Sequence, residues 1–216
     1  VAVLTNAVYF KSPWAEPFQD YATSAQPFTR ADGTAVTVDM MHHAGTVPFA
    51  EGEGWTAFEL PFRGGELAMT FIRPDDGALA AFESGLTAAT LGSVLSALAP
   101  AGVEYAVPKF ESEYTVSLKA PLEALGMTVP FSGACDLSGM VEGGGLYLQD
   151  AFHKTFIAVD EAGAEAAAAT AILVGETSVP VYDHQVTLDA PFFYLIRDRA
   201  TGAVLFFGRM GDPTAG

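Results

Sequence analysis

Short apolar runs, each closed by a polar or glycine-rich turn, recur along almost the whole chain and confine it to a fold built on antiparallel or mixed sheets. Val1–Phe10 reads as a buried strand already under way, ended by Pro13-Trp14. Ala22–Phe28 and Ala35–Met41 read as strands joined by an Asp32-Gly33 turn, and Gly45–Phe49 and Trp55–Pro61 continue the pattern. Glu66–Ile72 follows Arg63-Gly64-Gly65 and stops at the turn residues Arg73 to Gly77. The period then changes. Ala78–Ser84 and Thr87–Leu98 read as helices, the second with Leu91, Val94, Leu95 and Leu98 on one face. Thr87 suits its N-cap and Pro100 its stop. Val103–Pro108 and Glu111–Val116 return to strand, and Leu118, Leu122 and Leu125 form a helical stripe with Gly126 placed to end it. Leu146–Leu148, His153–Asp160, Val186–Leu188, Phe192–Arg197 and Ala203–Arg209 are the remaining strands, the last two joined by the Asp198–Gly202 turn. The fold class is mixed α/β (α+β), with no linker or repeat that divides it.

Charge and composition exclude several functions. The 216 residues carry a formal charge of −16, with no basic patch for nucleic acid or an anionic membrane. No apolar stretch is long enough to span a bilayer. Cys135 is the single cysteine, so the fold rests on no internal disulfide. His42 and His43 are neighbours that a strand would turn to opposite faces, which rules out joint chelation. Cys135 with His153 has no spacing known for a nucleophile and base, and no nucleophile elbow, zincin motif or phosphate loop is present. Neither a catalytic centre nor a metal or cofactor site is expected.

One stretch fits neither the strand nor the helix pattern. DEAGAEAAAATAILVGETSVPV, from Asp160 to Val181, begins acidic, becomes almost pure alanine and then turns β-branched. Read as a strand, it puts Ala164, Ala166, Ala168, Thr170, Ile172 and Val174 on one wholly uncharged face. The other face carries only Glu165 as a charge, and no proline interrupts Asp160 to Val179. Such a segment could enter a sheet without burying a charge or forcing a cavity open. Composition leaves an alanine-rich helix or a surface linker equally open.

Several stretches carry a family likeness: TNAVYFKSPW (Thr5–Trp14), VPKFESEY (Val107–Tyr114), LEALGM (Leu122–Met127), HKTFIAVDEAGAEAAAAT (His153–Thr170) and APFFYLIRDRATGAVLFFGRMGDP (Ala190–Pro213). On these the chain resembles the C-terminal part of a serpin, a suicide-substrate inhibitor of serine proteases, of the bacterial inhibitory type. The resemblance implies a serpin fold with a large mixed β-sheet, further sheets and helices. Residues 1–216 would be a partial domain that lacks the N-terminal portion of that fold, with residues 160–190 as hinge and reactive-centre loop.

It implies a hinge formed by Glu161, Gly163, Ala164, Glu165, Ala166, Ala167, Ala168, Ala169 and Thr170, whose small residues suit an inhibitor. The family's spacing sets the reactive bond at Thr177-Ser178. A protease would attack there, form an acyl-enzyme and be carried along as the loop becomes a new strand. Asn6 and His153 match the region where the large sheet opens, Lys11 and Trp14 the point where insertion begins, and Pro191 and Phe192 the C-terminal signature, from which Ala190 departs. The implied partner is a serine protease held covalently by a monomeric inhibitor, with no nucleic acid or membrane involved. An extracellular site is favoured over a cytoplasmic one. No Lys or Arg occurs between Thr155 and Ile196, so a trypsin-like pocket would find no cation there. Elastase-, subtilisin- or chymotrypsin-like enzymes are the expected targets. The alternative is a non-inhibitory serpin acting as chaperone, carrier or storage protein.

Overall fold

The structure, a computed structural model, describes residues 1–140, 145–164 and 182–215. Its strands are β1 (Ala2–Tyr9), β2 (Ser12–Pro13), β3 (Thr23–Thr29), β4 (Ala35–Gly52), β5 (Trp55–Pro61), β6 (Leu67–Pro74), β7 (Ala99–Pro108), β8 (Phe110–Ser117), β9 (Leu148–Val159), β10 (Gly163–Ala164), β11 (His184–Thr187), β12 (Phe192–Asp198) and β13 (Val204–Met210). The α-helices are α1 (Leu79–Gly85), α2 (Ala88–Ala97) and α3 (Lys119–Ala124). No helix among the described residues is long and apolar enough to cross a membrane. The residue contacts fall into two compact units: Val1–Phe10 with Ser112–Ile157, and Lys11–Glu111 with Ala158–Gly216.

In the larger unit, eight strands form one sheet in the order β11-β7-β4-β5-β6-β12-β13, with β3 also paired to β4. Every pair is antiparallel except β11 with β7. Its inward side chains are aromatic: Phe28, Phe71 and Phe110 each meet Phe192 at ring distances of 6.5, 6.0 and 5.9 Å. All four are buried. A second cluster takes Leu91, Leu95 and Leu98 of the expected helical stripe against buried Val94, Ile72, Phe193 and Leu195. Thr87 caps α2 by accepting from the Thr90 amide, and the Thr90 side chain closes the reciprocal half of the box.

A carboxylate also lies inside this sheet. Glu59 is 1% exposed, opposite Thr70 in the β5–β6 register. Its Oε2 accepts from Thr70 Oγ1 at 2.9 Å and from Arg197 Nε at 2.6 Å, while Arg199 Nε stands 3.3 Å from Oε1.

In the smaller unit β1 runs parallel to β9, with Asn6 opposite His153 and Tyr9 opposite Phe156. Chain reversal after α3 uses Gly126 at φ 97°. Its amide bonds to Glu123 O and that of Met127 to Leu122 O, which caps the helix with a left-handed residue.

Four expectations differ from the structure, the first being that Leu146–Leu148 and His153–Asp160 are not separate strands, since β9 runs unbroken from Leu148 to Val159. Ala35–Met41 and Gly45–Phe49 are one strand, because β7 pairs with β4 without a break from Met40 to Phe49. Pro100 does not stop α2, which ends at Ala97; it lies in β7 opposite Pro48. Neither proline has an N–H to give, so that position needs no bond from either. Strand β1 is not buried: Val3 and Leu4, which point to opposite faces, are 52% and 54% exposed. No element among the described residues covers them.

Candidate functional site

The acidic start of the alanine-rich stretch is seated by a tight turn at the end of β9. Asp160 Oδ1 accepts from the amides of Ala162 and Gly163 at 2.8 and 3.1 Å, and the Asp160 amide donates to Gly163 O at 3.0 Å. An aspartate that bonds the backbone two residues on is a strong turn former. The chain reverses, and β10 pairs antiparallel with β9 at Ala164–Val159 and with β2 at Gly163–Pro13 and Ala164–Ser12. Ala164 is completely buried.

Gly163 has a steric reason to be glycine. Its φ is 153°, and a Cβ there would meet Ser12 O, Pro13 Cα at 2.5 Å and Trp14 N at 2.9 Å, all backbone atoms. Gly163→Ala is therefore expected to unseat β10 at a cost of about 1–3 kcal/mol. The measurement is hydrogen exchange at Ala164, which should lose protection. Gly133→Ala, with nothing within 4 Å of the added methyl, should change nothing. Equal protection in both variants would refute the steric account.

Trp14 is the second anchor. It is 1% exposed, stacked on Phe62 at 4.7 Å and met edge-on by Phe18 at 6.4 Å. Its Nε1 donates to Asp160 O at 3.0 Å and its amide to Ala162 O at 3.0 Å. Two further residues of the strap formed by residues 14–18 are fixed as well: Ala15 N donates to Pro61 O and Phe18 N to Glu161 O, each at 2.9 Å.

The third anchor is ionic. Glu161 Oε2 lies 2.8 Å from Lys109 Nζ, and its Oε1 accepts from Thr23 Oγ1 at 2.8 Å. Burial pushes the Glu161 carboxyl up, but the bonds from Lys109 and Thr23 outweigh it and hold the group below its usual range. The same bond from Glu161 raises the Lys109 ammonium above its ordinary value. The pair is thus ionised across the neutral range.

Of the residues expected at the site, Glu161, Gly163 and Ala164 meet Trp14 and its strap here, and Lys11 immediately precedes β2. Asn6 and His153 stand side by side in the β1–β9 register. Pro191 is buried immediately before β12, next to Phe192 in the aromatic core. Glu165, Ala166, Ala167, Ala168, Ala169 and Thr170, and the Thr177-Ser178 bond, lie outside the described residues. Sequence reasoning missed Thr23, Lys109, Phe18 and Phe62. Nothing local marks them, since their partners are distant in sequence. Elsewhere in this unit a cleft of about 600 Å³ includes Arg30, Arg73 and Arg209 in its wall. These guanidinium groups are paired with Asp212, with Asp76 and Asp189, and with Glu83. No group of three metal-ligating side chains occurs among the described residues.

Comparison with known proteins places the chain in a family. The family model described as Serpin (serine protease inhibitor) matches residues 1–213. A serpin-like protein of Thermococcus kodakarensis is 38% identical over 99% of this chain and 50% of its own length. The leukocyte elastase inhibitor of Xenopus laevis is 36% identical over 98% of this chain and 58% of its own. Among solved structures, the thermophilic serpin tengpin in its native state superposes with a TM-score of 0.84 at 28% identity, over 97% of this chain and 55% of that one. The chain thus spans about half the length of the relatives it matches.

Proposed function

Because the chain belongs to the serpin family, we propose that the intact protein inhibits serine proteases as a suicide substrate, through cleavage and insertion of the loop that starts at Asp160. The observation that carries this reading is the seating of Gly163 and Ala164 as a strand, followed in sequence by residues small enough to extend it. Carried forward in the same register, Ala167 would lie opposite both Phe156 and Tyr9, and Thr170 opposite both His153 and Asn6. Those are residues that already face each other across β1 and β9. An entering strand would replace each parallel pair by two antiparallel ones, without slipping register on either side. The Tyr9 and Phe156 rings, stacked at 6.1 Å, must part where Ala167 enters, which favours a methyl at that place. Each net backbone bond contributes about 0.5–1.5 kcal/mol, and an inserted strand gains them along both edges. Inhibition is then kinetic: insertion must outrun deacylation of the bound protease.

The reactive bond in this reading is Thr177-Ser178, and the absence of Lys and Arg from Thr155 to Ile196 directs the loop to elastase-, subtilisin- or chymotrypsin-like proteases. The test mixes the intact protein with elastase and with subtilisin. We expect an SDS-stable complex and a released C-terminal fragment that begins at Ser178. Clean loop cleavage with no complex and no gain in heat stability would overturn the proposal and favour a non-inhibitory member of the family.

A further inference from the structure

Next to the hinge clasp lies a histidine that loop insertion does not use. His43 of β4 stands opposite Tyr105 of β7, their rings stacked at 5.5 Å with an 18° tilt. Phe18 turns its edge to both, 5.8 Å from each. The His43 Nδ1 is sealed from solvent and has no hydrogen-bond partner among the described residues. A buried polar nitrogen left unbonded normally costs stability, and one in an aromatic packet has few ways to accommodate a proton.

The groups facing it are few. From the strap comes Glu16: a methyl built on Gly45 would be 3.8 Å from Glu16 Oε2 and 4.0 Å from His43 Nδ1, so both border one notch. From β7 comes Tyr105, whose phenol is pushed up by burial, by Glu16 and by Tyr182, two residues before β11. It stays neutral at acid and neutral pH. His42 and Glu104, the next residues on the two strands, point to the opposite face, and His42 Nε2 is bonded to Gln26 at 2.8 Å. Burial therefore dominates at His43 and holds the imidazole below its ordinary value, against the weaker opposing pull of Glu16 and the Ala44 backbone.

We infer that His43 is an acid-triggered release for the hinge: its protonation puts a cation into the packet that Phe18 closes, and the Phe18 amide is what holds Glu161 O. The sign follows from linkage. The folded state binds this proton less readily than the unfolded chain, so the packing keeps its full stability above the ordinary histidine value of 6.5. It weakens as the pH falls through that value toward the folded one. Relief comes when Phe18 withdraws or Glu16 swings into the notch, and either motion draws the strap away from Glu161. Faster loop insertion in acid is the consequence that rests on the proposed inhibitory function; the release itself does not.

The experiment follows exchange protection of the Phe18 amide, corrected for intrinsic rates, in the intact protein from about pH 7.5 to about pH 5. We expect protection to fall about tenfold with a midpoint below the ordinary histidine value. His43→Gln should give a flat profile, Glu16→Gln a midpoint moved to lower pH, and His42→Gln and His184→Gln the wild-type curve. Constant wild-type protection, or an unaltered midpoint in His43→Gln, overturns the release. Should His43→Gln fail to fold, an unmoved midpoint in Glu16→Gln overturns it instead. A release without SDS-stable complex at any pH would count against the inhibitory reading alone.

Discussion

If the intact protein inhibits as proposed, Ala166→Arg is expected to turn it into a plain substrate: cleavage of the loop persists while covalent complex disappears. The reason is positional. Ala166 shares a strand face with Ala164, which is completely buried between β2 and the end of β9. In the continued register it would face Ile157, itself 2% exposed. Moving an unpaired guanidinium into that layer costs several kcal/mol at the least, more than the about 0.5–1.5 kcal/mol that each net backbone bond returns. Insertion should stall near its start, and deacylation then wins. The readout is the ratio of complex to cleaved inhibitor on a denaturing gel. Ala166→Ser, small and neutral, should leave that ratio near wild type. Undiminished complex with arginine at this place would show that the face never enters the sheet.

The largest loss of stability is expected from Glu59→Ala. The substitution removes a carboxylate that is 1% exposed and leaves Arg197, with a side chain 16% exposed, beside an apolar cavity. Breaking a buried pair by deleting one partner costs about 3–5 kcal/mol. At about 2–4 °C per kcal/mol for a chain of this size, the melting temperature should fall by roughly 10 °C. Glu83→Ala breaks the Arg209 pair, whose side chains are 47% and 48% exposed, and should change stability by less than about 1 kcal/mol. Thermal unfolding followed by circular dichroism compares the two. Similar shifts would mean that Glu59 is solvated after all.

Much of the local structure was legible in the chain. The Leu91, Val94, Leu95, Leu98 stripe, the Thr87 cap and the Gly126 stop are encoded within single turns, and period and turn chemistry report them directly. The break expected between Met41 and Gly45 was misread because His42, His43 and Ala44 lack the alternation that marks a strand, although β7 pairs with them throughout. The same holds for Pro100, whose local meaning as a helix stop gives way to a place in β7 opposite another proline.

The site divides in the same manner. By itself the sequence determined that the stretch after Asp160 is rich in small residues, carries only Glu165 as a charge over the part that would enter a sheet, and is free of basic residues near the expected reactive bond. These are properties of composition and need no partner. Only the tertiary structure decided what holds the start of that stretch. Glu161 meets Thr23 across 138 positions and Trp14 reaches Asp160 across 146. Gly163 has to be glycine because the backbone of Ser12 to Trp14 runs directly against it. Such pairings depend on strand register, which brings distant residues within bonding range and leaves no trace in the residues on either side.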